Sequence, residues 1–460
     1  MQIYKRKNGE EQPYWPVGKF KLRLPFIHYR LEWPEFIQGL VIFTIGLSMI
    51  EILTSVVGMS YPAALAVAII TQFFMLLPSA LGVPFVSGFI TPALPLVILF
   101  VGKFEPGREA IQALVAVHLI VAAIFLFLGL TGLGKKFVQA LPRSLKAGIL
   151  IGAGMSAIMT EIQAGGRVTE TPVSLIIGAI LCLYVMYSMS FKKLYSKNRL
   201  FKSIAGFGIM PPVIVAIIIG WLAKEYPAPS IEWGITLPDV AELWKFTPFA
   251  VGFPGLELFI AAIPTAVLAY IIAFGDIIVG QKLVDQACKL RKDEKVVYDV
   301  NQIHHLTAVR NFLHALFVPH PGLAGPLFTA GTATVAERYK YGRKAMDSIF
   351  SGANTLVIGF IAAAFFTPLI TLFQPYLPIA LSITLIITGY VCIKIGMQEL
   401  RTDNERGIAG LMAIVLALYG ATYGLLIGLV LYFVIEKSFF RKSAWKQAKT
   451  EHAEGLVQDS

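Results

Sequence analysis

The sequence predicts an all-α integral membrane protein with about fourteen spanning segments in two halves of seven. Three observations predict it: an apolar composition, a series of apolar runs of spanning length, and two interrupted runs at matching positions. Apolar residues make up 56% of the 460-residue chain and charged residues only 15%, and the mean hydropathy is +0.70. These values are typical of membrane proteins and override the two or three soluble domains that length alone would suggest.

The apolar runs determine the number of segments, because roughly 20 apolar residues cross a bilayer as a helix. Such runs lie near 36–57, 61–79, 112–132, 145–162, 173–191, 206–223, 256–280, 351–373 and 376–397. A last run, from Ile408 to Ile435, is interrupted at Gly420 and Gly424 and predicts two short helices. A weaker span over about 303–318 and two interrupted segments bring the total to about fourteen.

The two interrupted segments carry glycine and proline at membrane depth. They are Gly82–Pro95 and Pro319–Thr332, the third and the tenth segments, so each is the third of its half. Backbone without helical pairing survives in a membrane only where protein or a wet cavity satisfies it. Interruptions at matching positions of two halves indicate the substrate site of a transporter. The sequence therefore predicts a secondary transporter whose site lies between two half-helices.

Charge and cysteine content exclude several other classes. The net charge of +11 does not indicate nucleic-acid binding, because the cations occupy particular loops and not one face. Cys182, Cys288 and Cys392 are scattered and predict neither disulfides nor a metal site. Since the chain has no nucleotide-binding loop and no nucleophile–base pattern, we expect no ATP-driven pump, no enzyme and no cofactor.

Loop charges predict the orientation. Basic loops alternate with neutral or acidic ones, of which the outer loops would be about 103–110, 162–171 and 225–253. The basic segments contain Lys5, Arg6, Lys7, Lys135, Lys136, Lys192, Lys193, Lys197, Arg199, Lys202, Lys289, Arg291, Lys292, Lys295, Arg338, Lys340, Arg343, Lys344, Lys437, Arg441 and Lys442. By the positive-inside rule both termini are expected in the cytoplasm, with the protein in the plasma or inner membrane.

Three charged residues within apolar segments are candidates for the chemistry. Asp276 lies in a stretch otherwise free of charge, and a carboxylate there is expensive unless it faces a cavity or a partner. It could bind substrate or a coupling ion, or it could instead extend toward Lys282. Glu51, in the first run, could share a proton with Asp276 or help to bind Na⁺, or could make a structural hydrogen bond. Arg310 could attract an anion, neutralise Asp276, or form a structural ion pair.

Hydroxyls at the two breaks are candidates for substrate binding. Ser87 and Thr91 lie at the first break, and Thr329, Thr332 and Thr334 lie at the second. A helix N-terminus presents unpaired N–H groups and partial positive charge, so it can hold an anion without a basic side chain. The hydroxyls could bind substrate there, or could cap their own helices.

Several stretches resemble the superfamily that joins the nucleobase-ascorbate (uracil/xanthine) permeases to the sulfate permeases. Leu141–Gly154 resembles the start of the fifth helix of these proteins, and Ile271–Asp276 is similar to the eighth helix of the uracil permeases. The tenth-segment entry and Thr367–Pro378 also fit. The resemblance implies two inverted repeats of seven, with segments 3 and 10 each a short strand followed by a half-helix. It also implies that Asp276 contacts substrate, and it favours a homodimer.

The resemblance further implies two domains that move against each other to give alternating access. A core would hold the substrate in residues 36–134 (segments 1–4) and 254–373 (segments 8–11). A gate would comprise residues 135–253 (segments 5–7 and an outer loop) and 374–437 (segments 12–14). Residues 1–35 and 438–460 would be cytoplasmic.

The substrate class depends on the tenth segment. Nucleobase permeases carry an amide or carboxylate there that recognises the edge of the base, whereas this chain has Thr334, Val335 and Glu337 at the aligned positions. We therefore expect a small anion of the sulfate, bicarbonate or dicarboxylate type, moved with H⁺ or Na⁺. A nucleobase is the alternative, and an anion channel or an intramembrane enzyme are outside alternatives.

Overall fold

The computed structural model describes residues 3–198, 201 and 208–437, without the side chains of residues 195–197. The predicted tail 438–460 and the predicted loop cations Arg199, Lys202, Arg441 and Lys442 lie outside these residues. The described chain is mainly helical, as predicted.

The first half contains a pair of short strands, one strand of a second pair, and a series of helices. The strands are β1 (Trp15–Val17), β2 (Phe20–Leu22) and β3 (Gly88–Phe89), and a 3-10 turn covers Thr91–Ala93. The helices are α1 (Trp33–Gly46), α2 (Met49–Ser55), α3 (Tyr61–Ala80), α4 (Leu94–Val101), α5 (Arg108–Thr131), α6 (Gly134–Ala140), α7 (Arg143–Ile162), α8 (Arg167–Glu170), α9 (Pro172–Tyr187), α10 (Met189–Lys197) and α11 (Met210–Leu222).

The second half begins with two short helices in the loop predicted to be outside. The helices are α12 (Val240–Trp244), α13 (Pro248–Val251), α14 (Leu256–Leu290), α15 (Val300–Phe317), α16 (Thr329–Tyr339), α17 (Ile349–Ala364), α18 (Thr367–Phe373), α19 (Leu377–Glu399), α20 (Asp403–Tyr419) and α21 (Ala421–Leu431). The strand β4 covers Ala324–Gly325, and two further turns cover Gln374–Tyr376 and Tyr432–Glu436.

Length and hydropathy identify the spanning helices among the described residues. Six are long and apolar enough to cross a membrane, and they begin at Trp33, Tyr61, Arg108, Arg143, Leu256 and Thr367. Shorter apolar helices cover Thr91–Val101, Pro172–Tyr187, Met210–Leu222, Ile349–Ala364 and Ala421–Glu436. This pattern confirms a multi-pass membrane fold, whereas the total of fourteen stays a prediction.

Glycine and proline place many of the helix boundaries. Pro34, Pro62 and Pro172 lie at the first or second position of their helices, where the missing N–H has no helical partner to lose. Gly420 has a φ of +95°, which divides the last apolar run into α20 and α21. The prediction of two short helices there is confirmed.

Two packing groups share the apolar interior. In the larger group α5 packs on α15 and α14, and α1 packs on α17. The approach of α1 to α17 is close, because a Cβ on Gly39 would lie 2.9 Å from the Gly359 Cα. In the other group α7 packs on α19 and α20, while α9 and α11 form a separate apolar cluster with α19.

The N-terminal segment folds onto the larger group, which the sequence did not reveal. The antiparallel pair β1–β2 is preceded by a segment that lies against the loop between α14 and α15, where the Gly9 N–H donates to the Asp293 carbonyl and the Lys295 N–H donates to the Glu10 carbonyl. The buried Arg6 side chain donates to the Asp293 carbonyl at 2.6 Å and to the Asp347 carbonyl at 2.7 Å. We call Arg6, Arg291, Asp293, Glu294 and Asp347 the N-terminal network.

Candidate functional site

The third and tenth segments meet in a short pair of strands at the centre of the larger group. Strands β3 and β4 pair antiparallel, with Gly88 opposite Gly325 and Phe89 opposite Ala324. The 3-10 turn and α4 follow β3, and α16 follows β4 by three residues. Each segment is therefore a short strand plus a half-helix, as predicted. We call this strand pair the crossing.

Glycine is required at the crossing because the two segments approach so closely. A Cβ on Gly88 would lie 2.9 Å from the Phe328 Cβ, and one on Gly325 would lie 2.7 Å from the Phe89 carbonyl carbon. Real Cβ atoms do not approach other atoms at such distances, so a larger residue would force the strands apart.

The two half-helix starts differ in the N–H groups they leave free. At α16, the N–H groups of Thr329, Ala330 and Gly331 have no acceptor among the described residues, and the first N–H to be paired is that of Thr332, with the Phe328 carbonyl. At the first break, prolines occupy positions 92 and 95, and a proline has no N–H to offer. The start of α16 is consequently the richer donor site.

Two of the predicted hydroxyls hold the segments together and are already engaged. Ser87 is buried, and its hydroxyl donates to the Met75 carbonyl at 2.5 Å. Thr332 is also buried; its hydroxyl accepts from the Val86 N–H at 3.0 Å and contacts the Val86 carbonyl at 3.3 Å. Neither hydroxyl caps its own helix, and both connect one chain segment to another.

The other three hydroxyls are more accessible. Thr329 is exposed and Thr91 is half-buried, and no hydrogen bond of either side chain joins it to another described residue. Thr334 donates to the Ala330 carbonyl at 2.9 Å and accepts weakly from Gln38 at 3.5 Å. Since no side chain caps α16, the threonines at its start are not used as caps.

Arg310 is completely buried behind the crossing and holds both strands. Its guanidinium donates to the Gly325 carbonyl at 2.7 Å and to the Gly88 carbonyl at 3.0 Å. Its Nε atom has no partner, and among the described residues Arg310 forms no salt bridge. The ion pairs considered for it, with Asp276 or with another acid, are therefore not formed. Within the part of the chain that the structure describes, no carboxylate pairs with this positive charge at the crossing.

Asp276 is half-buried on α14, which packs against the 3-10 turn of the first break and against α16. One turn further on, Gly280 packs so closely on Phe85 that a Cβ would lie 2.7 Å from the ring. Positions i and i+4 share a helix face, so Asp276 lies on the side of α14 that faces the first break. It also interacts electrostatically with Cys392 of α19, a helix of the other packing group. No salt bridge joins it to Lys282 within the described residues.

Glu51 belongs to a different cluster. It is half-buried in the short helix α2, and its electrostatic neighbours include Glu161 of α7 and Tyr226. The buried Glu161 carboxylate accepts from Arg167 at 2.5 Å. Glu51 thus faces charged groups of the other packing group, and no contact of its side chain with the crossing is formed among the described residues.

Two acids form ion pairs near the end of α16, one in its last turn and one in the loop that follows it. Lys340 lies 2.6 Å from Glu337, and Arg343 lies 3.0 Å from Asp347. Glu337, which occupies an aligned position in the nucleobase motif, is therefore exposed and paired with a lysine.

The sequence did not single out the polar layer around Arg310. Asn311 accepts from the Ala324 N–H at 3.0 Å and donates to the Ala324 carbonyl at 2.8 Å, so it supports β4 directly. His118 of α5 contacts Asn311 and the carbonyl of His320. The spacing of Arg310 and His314, one helical turn apart in a predicted span, was the available signal.

Comparison with known proteins places the chain in a family. A family model described as Permease family, the xanthine/uracil permease model, matches residues 61–301, which is just over half of the chain. No curated protein sequence gives a significant match.

Solved structures share the fold at low identity. The transmembrane domain of the cyanobacterial bicarbonate transporter BicA has 17% identity and a TM-score of 0.53, over 86% of this chain and 96% of that one. SLC26A9 has 16% identity and a TM-score of 0.54, over 88% of this chain and 66% of that one. The murine anion transporter Slc26a9, in its inward-facing state, has 13% identity and a TM-score of 0.50, over 88% of this chain and 68% of that one.

Proposed function

This chain belongs to the permease family, and from that premise we propose that it is a secondary active transporter of a small anion, coupled to H⁺ or Na⁺. The family and the structural neighbours are transporters and not enzymes. The proposed substrates are of the sulfate, bicarbonate or dicarboxylate type, and the proposed site lies between half-helices 3 and 10.

The unbalanced positive charge at the crossing carries this proposal. Arg310 is buried with only backbone carbonyls as partners, and three free N–H groups open the adjacent α16. A buried cation without a carboxylate is costly, and an anion bound nearby offsets that cost. The exposed Thr329 and half-buried Thr91 hydroxyls would add donors to the same anion.

Two structural neighbours support an anion as the substrate. One is titled a bicarbonate transporter and another an anion transporter. Since their identity to this chain is 17% and 13%, the choice of an anion rests on the positive charge at the crossing.

The proposed mechanism is an elevator-like movement of a core against a gate. The core would comprise residues 36–134 and 254–373, and the gate residues 135–253 and 374–437. Asp276 on α14 would face the gate at Cys392 of α19. A carboxylate at that boundary could bind the coupling H⁺ or Na⁺, while Glu51 would serve as a second ion-coupling acid facing Glu161.

A nucleobase is the second candidate because the matching family model is that of the xanthine and uracil permeases. Against it, Thr334 bonds to its own helix and Glu337 pairs with Lys340. Neither group is available to recognise the edge of a base, so the anion is the better-supported substrate.

The protein would act in the lipid bilayer of a plasma or inner membrane, with both termini in the cytoplasm. The superfamily resemblance favours a homodimer. The proposal requires no cofactor and no nucleic acid.

Uptake into proteoliposomes with imposed pH and Na⁺ gradients tests the proposal. The panel contains sulfate, bicarbonate, malate, uracil and xanthine, and Asp276→Asn is measured in parallel. We expect saturable anion uptake that the Asp276→Asn substitution abolishes. Uptake of a base with no anion uptake would overturn the proposed substrate, and anion uptake unchanged by the substitution would remove Asp276 from the mechanism.

A further inference from the structure

Five polar residues form a buried layer directly behind the crossing. We call them the crossing layer: His118 on α5, Arg310, Asn311 and His314 on α15, and His320 in the coil before β4. All five are at most 2% exposed. The His118 and His314 rings stack with centroids 5.6 Å apart, and those of His314 and His320 are 5.9 Å apart.

The hydrogen bonds of Asn311 determine which way its amide points. Its Nδ2 donates to the Thr307 carbonyl at 2.9 Å and to the Ala324 carbonyl at 2.8 Å. Its Oδ1 accepts from the Ala324 N–H at 3.0 Å. The opposite orientation would place an amide oxygen against two carbonyls and an NH₂ group against an N–H. Oδ1 is therefore an acceptor in its remaining contact, which is with His118.

Both ring nitrogens of His118 face oxygen atoms that can only accept. Nδ1 lies 3.1 Å from the Asn311 Oδ1, and Nε2 lies 2.7 Å from the His320 carbonyl oxygen. A neutral imidazole has one N–H, so one nitrogen would direct a lone pair at an oxygen, whereas an imidazolium has two N–H groups and fits both contacts. We propose that His118 binds the coupling proton of this transporter, which leaves Na⁺ or the substrate for Asp276 and Glu51, and that its protonated form holds β4 in register. This inference rests on the proposed anion transport.

The titratable groups that face His118 come from α15 and from the coil before β4. His314 faces it from α15 and His320 from the coil, and Arg310 of α15 interacts electrostatically with both of these histidines. No carboxylate of the described residues interacts electrostatically with His118 or His320.

Of the other elements packed on this region, α14 carries the acid Asp276 on the side that faces the first break, and α6 carries Lys135 and Lys136, which are exposed. Helices α4 and α13 contain no ionisable side chain, and α3 places the Phe74 ring edge against His314. On α14, the Tyr270 hydroxyl lies 3.2 Å from the His304 Nε2, away from the layer. A proton on His118 thus adds a second positive charge beside Arg310.

This arrangement couples the proton to an anion. An anion at the crossing offsets the charge of Arg310 and of a protonated His118, so it favours protonation. By linkage, the proton must then strengthen anion binding by the same factor. The proton also has a structural effect, since His118 holds the His320 carbonyl and, through Asn311, the strand that precedes α16.

The first test compares His118→Gln with His305→Gln, a matched control on the α15 face that packs near Gly129. Proteoliposomes receive radiolabelled sulfate or malate with and without an inward proton gradient. With one proton carried per anion and no membrane potential, the unsubstituted protein and the control should accumulate the anion up to about tenfold per pH unit of the gradient. His118→Gln should retain uptake down a concentration gradient and lose the response to the proton gradient. An unchanged response in His118→Gln overturns the proposal.

The second test needs no transport and no stable variant. Histidine labelled with ¹⁵N in the protein, reconstituted in nanodiscs with sulfate, reports directly whether a ring carries one or two N–H groups. We expect His118, assigned by its contacts with Asn311 and His314, to carry two when sulfate is bound at acidic pH. A neutral His118 under all these conditions contradicts the proposal even if anion uptake is found. Absence of all anion uptake by the unsubstituted protein would instead overturn the proposed function.

Discussion

The N-terminal network and the crossing layer both contain buried arginines, but they treat the charge differently. Arg6 lies 3.2 Å from the Asp293 carboxylate and 3.8 Å from that of Glu294, and Arg291 lies 2.6 Å from Asp293. Arg310 meets only the two strand carbonyls. In the first region each cation has an acid partner, whereas in the second the charge has none among the described residues.

The two regions therefore differ in their expected roles: the N-terminal network stabilises the fold, and the crossing carries the proposed substrate site. Hydrogen bonds from Arg291 hold the pKa of Asp293 below its ordinary value, as expected for an ion pair that is complete without a ligand. At the crossing, no acid of the described residues balances Arg310, and the proposed substrate anion would take that role. Substitutions in the two regions should therefore affect different quantities: stability in the network, and substrate affinity at the crossing.

The largest expected effect is that of Arg310→Gln. Loss of one member of a buried charge pair reduces binding by about 2–5 kcal/mol, or roughly thirty- to several-thousand-fold in affinity. We expect the KM for sulfate or malate to rise by at least the lower factor. Arg310→Lys keeps the charge but cannot donate to both strand carbonyls as the guanidinium does, so its KM should lie between those of the unsubstituted protein and Arg310→Gln. An unchanged KM in Arg310→Gln would contradict the proposal that the charge at the crossing determines substrate affinity.

Arg6→Ala should act on stability. Removing one partner of a buried ion pair destabilises by about 3–5 kcal/mol, because the remaining acids stay buried. We expect a lower thermal midpoint and faster proteolysis of residues 3–32, with an unchanged KM. Lys5→Ala, at an exposed neighbouring position, is the control and should change neither. A raised KM in Arg6→Ala would show that the network takes part in substrate binding.

Thr332→Val tests the connection between the two interrupted segments. Valine has a similar shape but loses the hydroxyl, leaving the buried N–H and carbonyl of Val86 without this partner. The cost is about 1–3 kcal/mol of unfolding free energy. The control is Thr334→Val, whose hydroxyl bonds mainly within α16. Equal midpoints for the two variants in thermal unfolding would contradict the assigned role of Thr332.

The smallest effect concerns pH in the N-terminal segment. Burial, together with the nearby Arg23 guanidinium, lowers the pKa of His28, and its Nδ1 accepts from the Leu24 N–H at 3.0 Å. A lowered pKa stabilises the folded segment above the ordinary histidine value of about 6.5, and this contribution declines as the pH falls below that value. Hydrogen exchange of residues 3–32 should therefore accelerate on acidification.

His28→Asn provides the comparison for that measurement. Asparagine can keep an acceptor for Leu24 but does not titrate, so its exchange should not respond to acid beyond the intrinsic chemical rate. His305→Gln should behave like the unsubstituted protein. If exchange in His28→Asn still accelerates on acidification, a group other than His28 causes the acceleration.

Local signals predicted much of the fold. Glycine and proline at membrane depth identified the two broken segments, and Gly420 identified the division of the last run. These features depend on residues near one another in the chain, where backbone preferences act directly. The N-terminal strand pair and the N-terminal network were not predicted, because their contacts join distant parts of the chain. Arg6, for example, bonds to Asp293, which lies 287 residues away in the sequence.

The site was predicted less completely for the same reason. Asp276 and Arg310 stood out as charges in apolar segments, but the partners of Arg310 include a carbonyl 222 residues away. Ser87 and Thr332 have the residue types of ligand-binding hydroxyls, and only tertiary contacts reveal that they hold Met75 and Val86. His118, alone in an apolar run, gave no sign of its two acceptors.

A structure with selenate tests the central claim most directly. Selenate mimics sulfate and is identified by its anomalous scattering, so its position can be assigned without ambiguity. The account predicts selenate at the crossing, within hydrogen-bonding distance of the N–H groups of Thr329, Ala330 and Gly331, and its loss in Arg310→Gln. A crossing that stays empty at saturating selenate, or that binds uracil in its place, would contradict it.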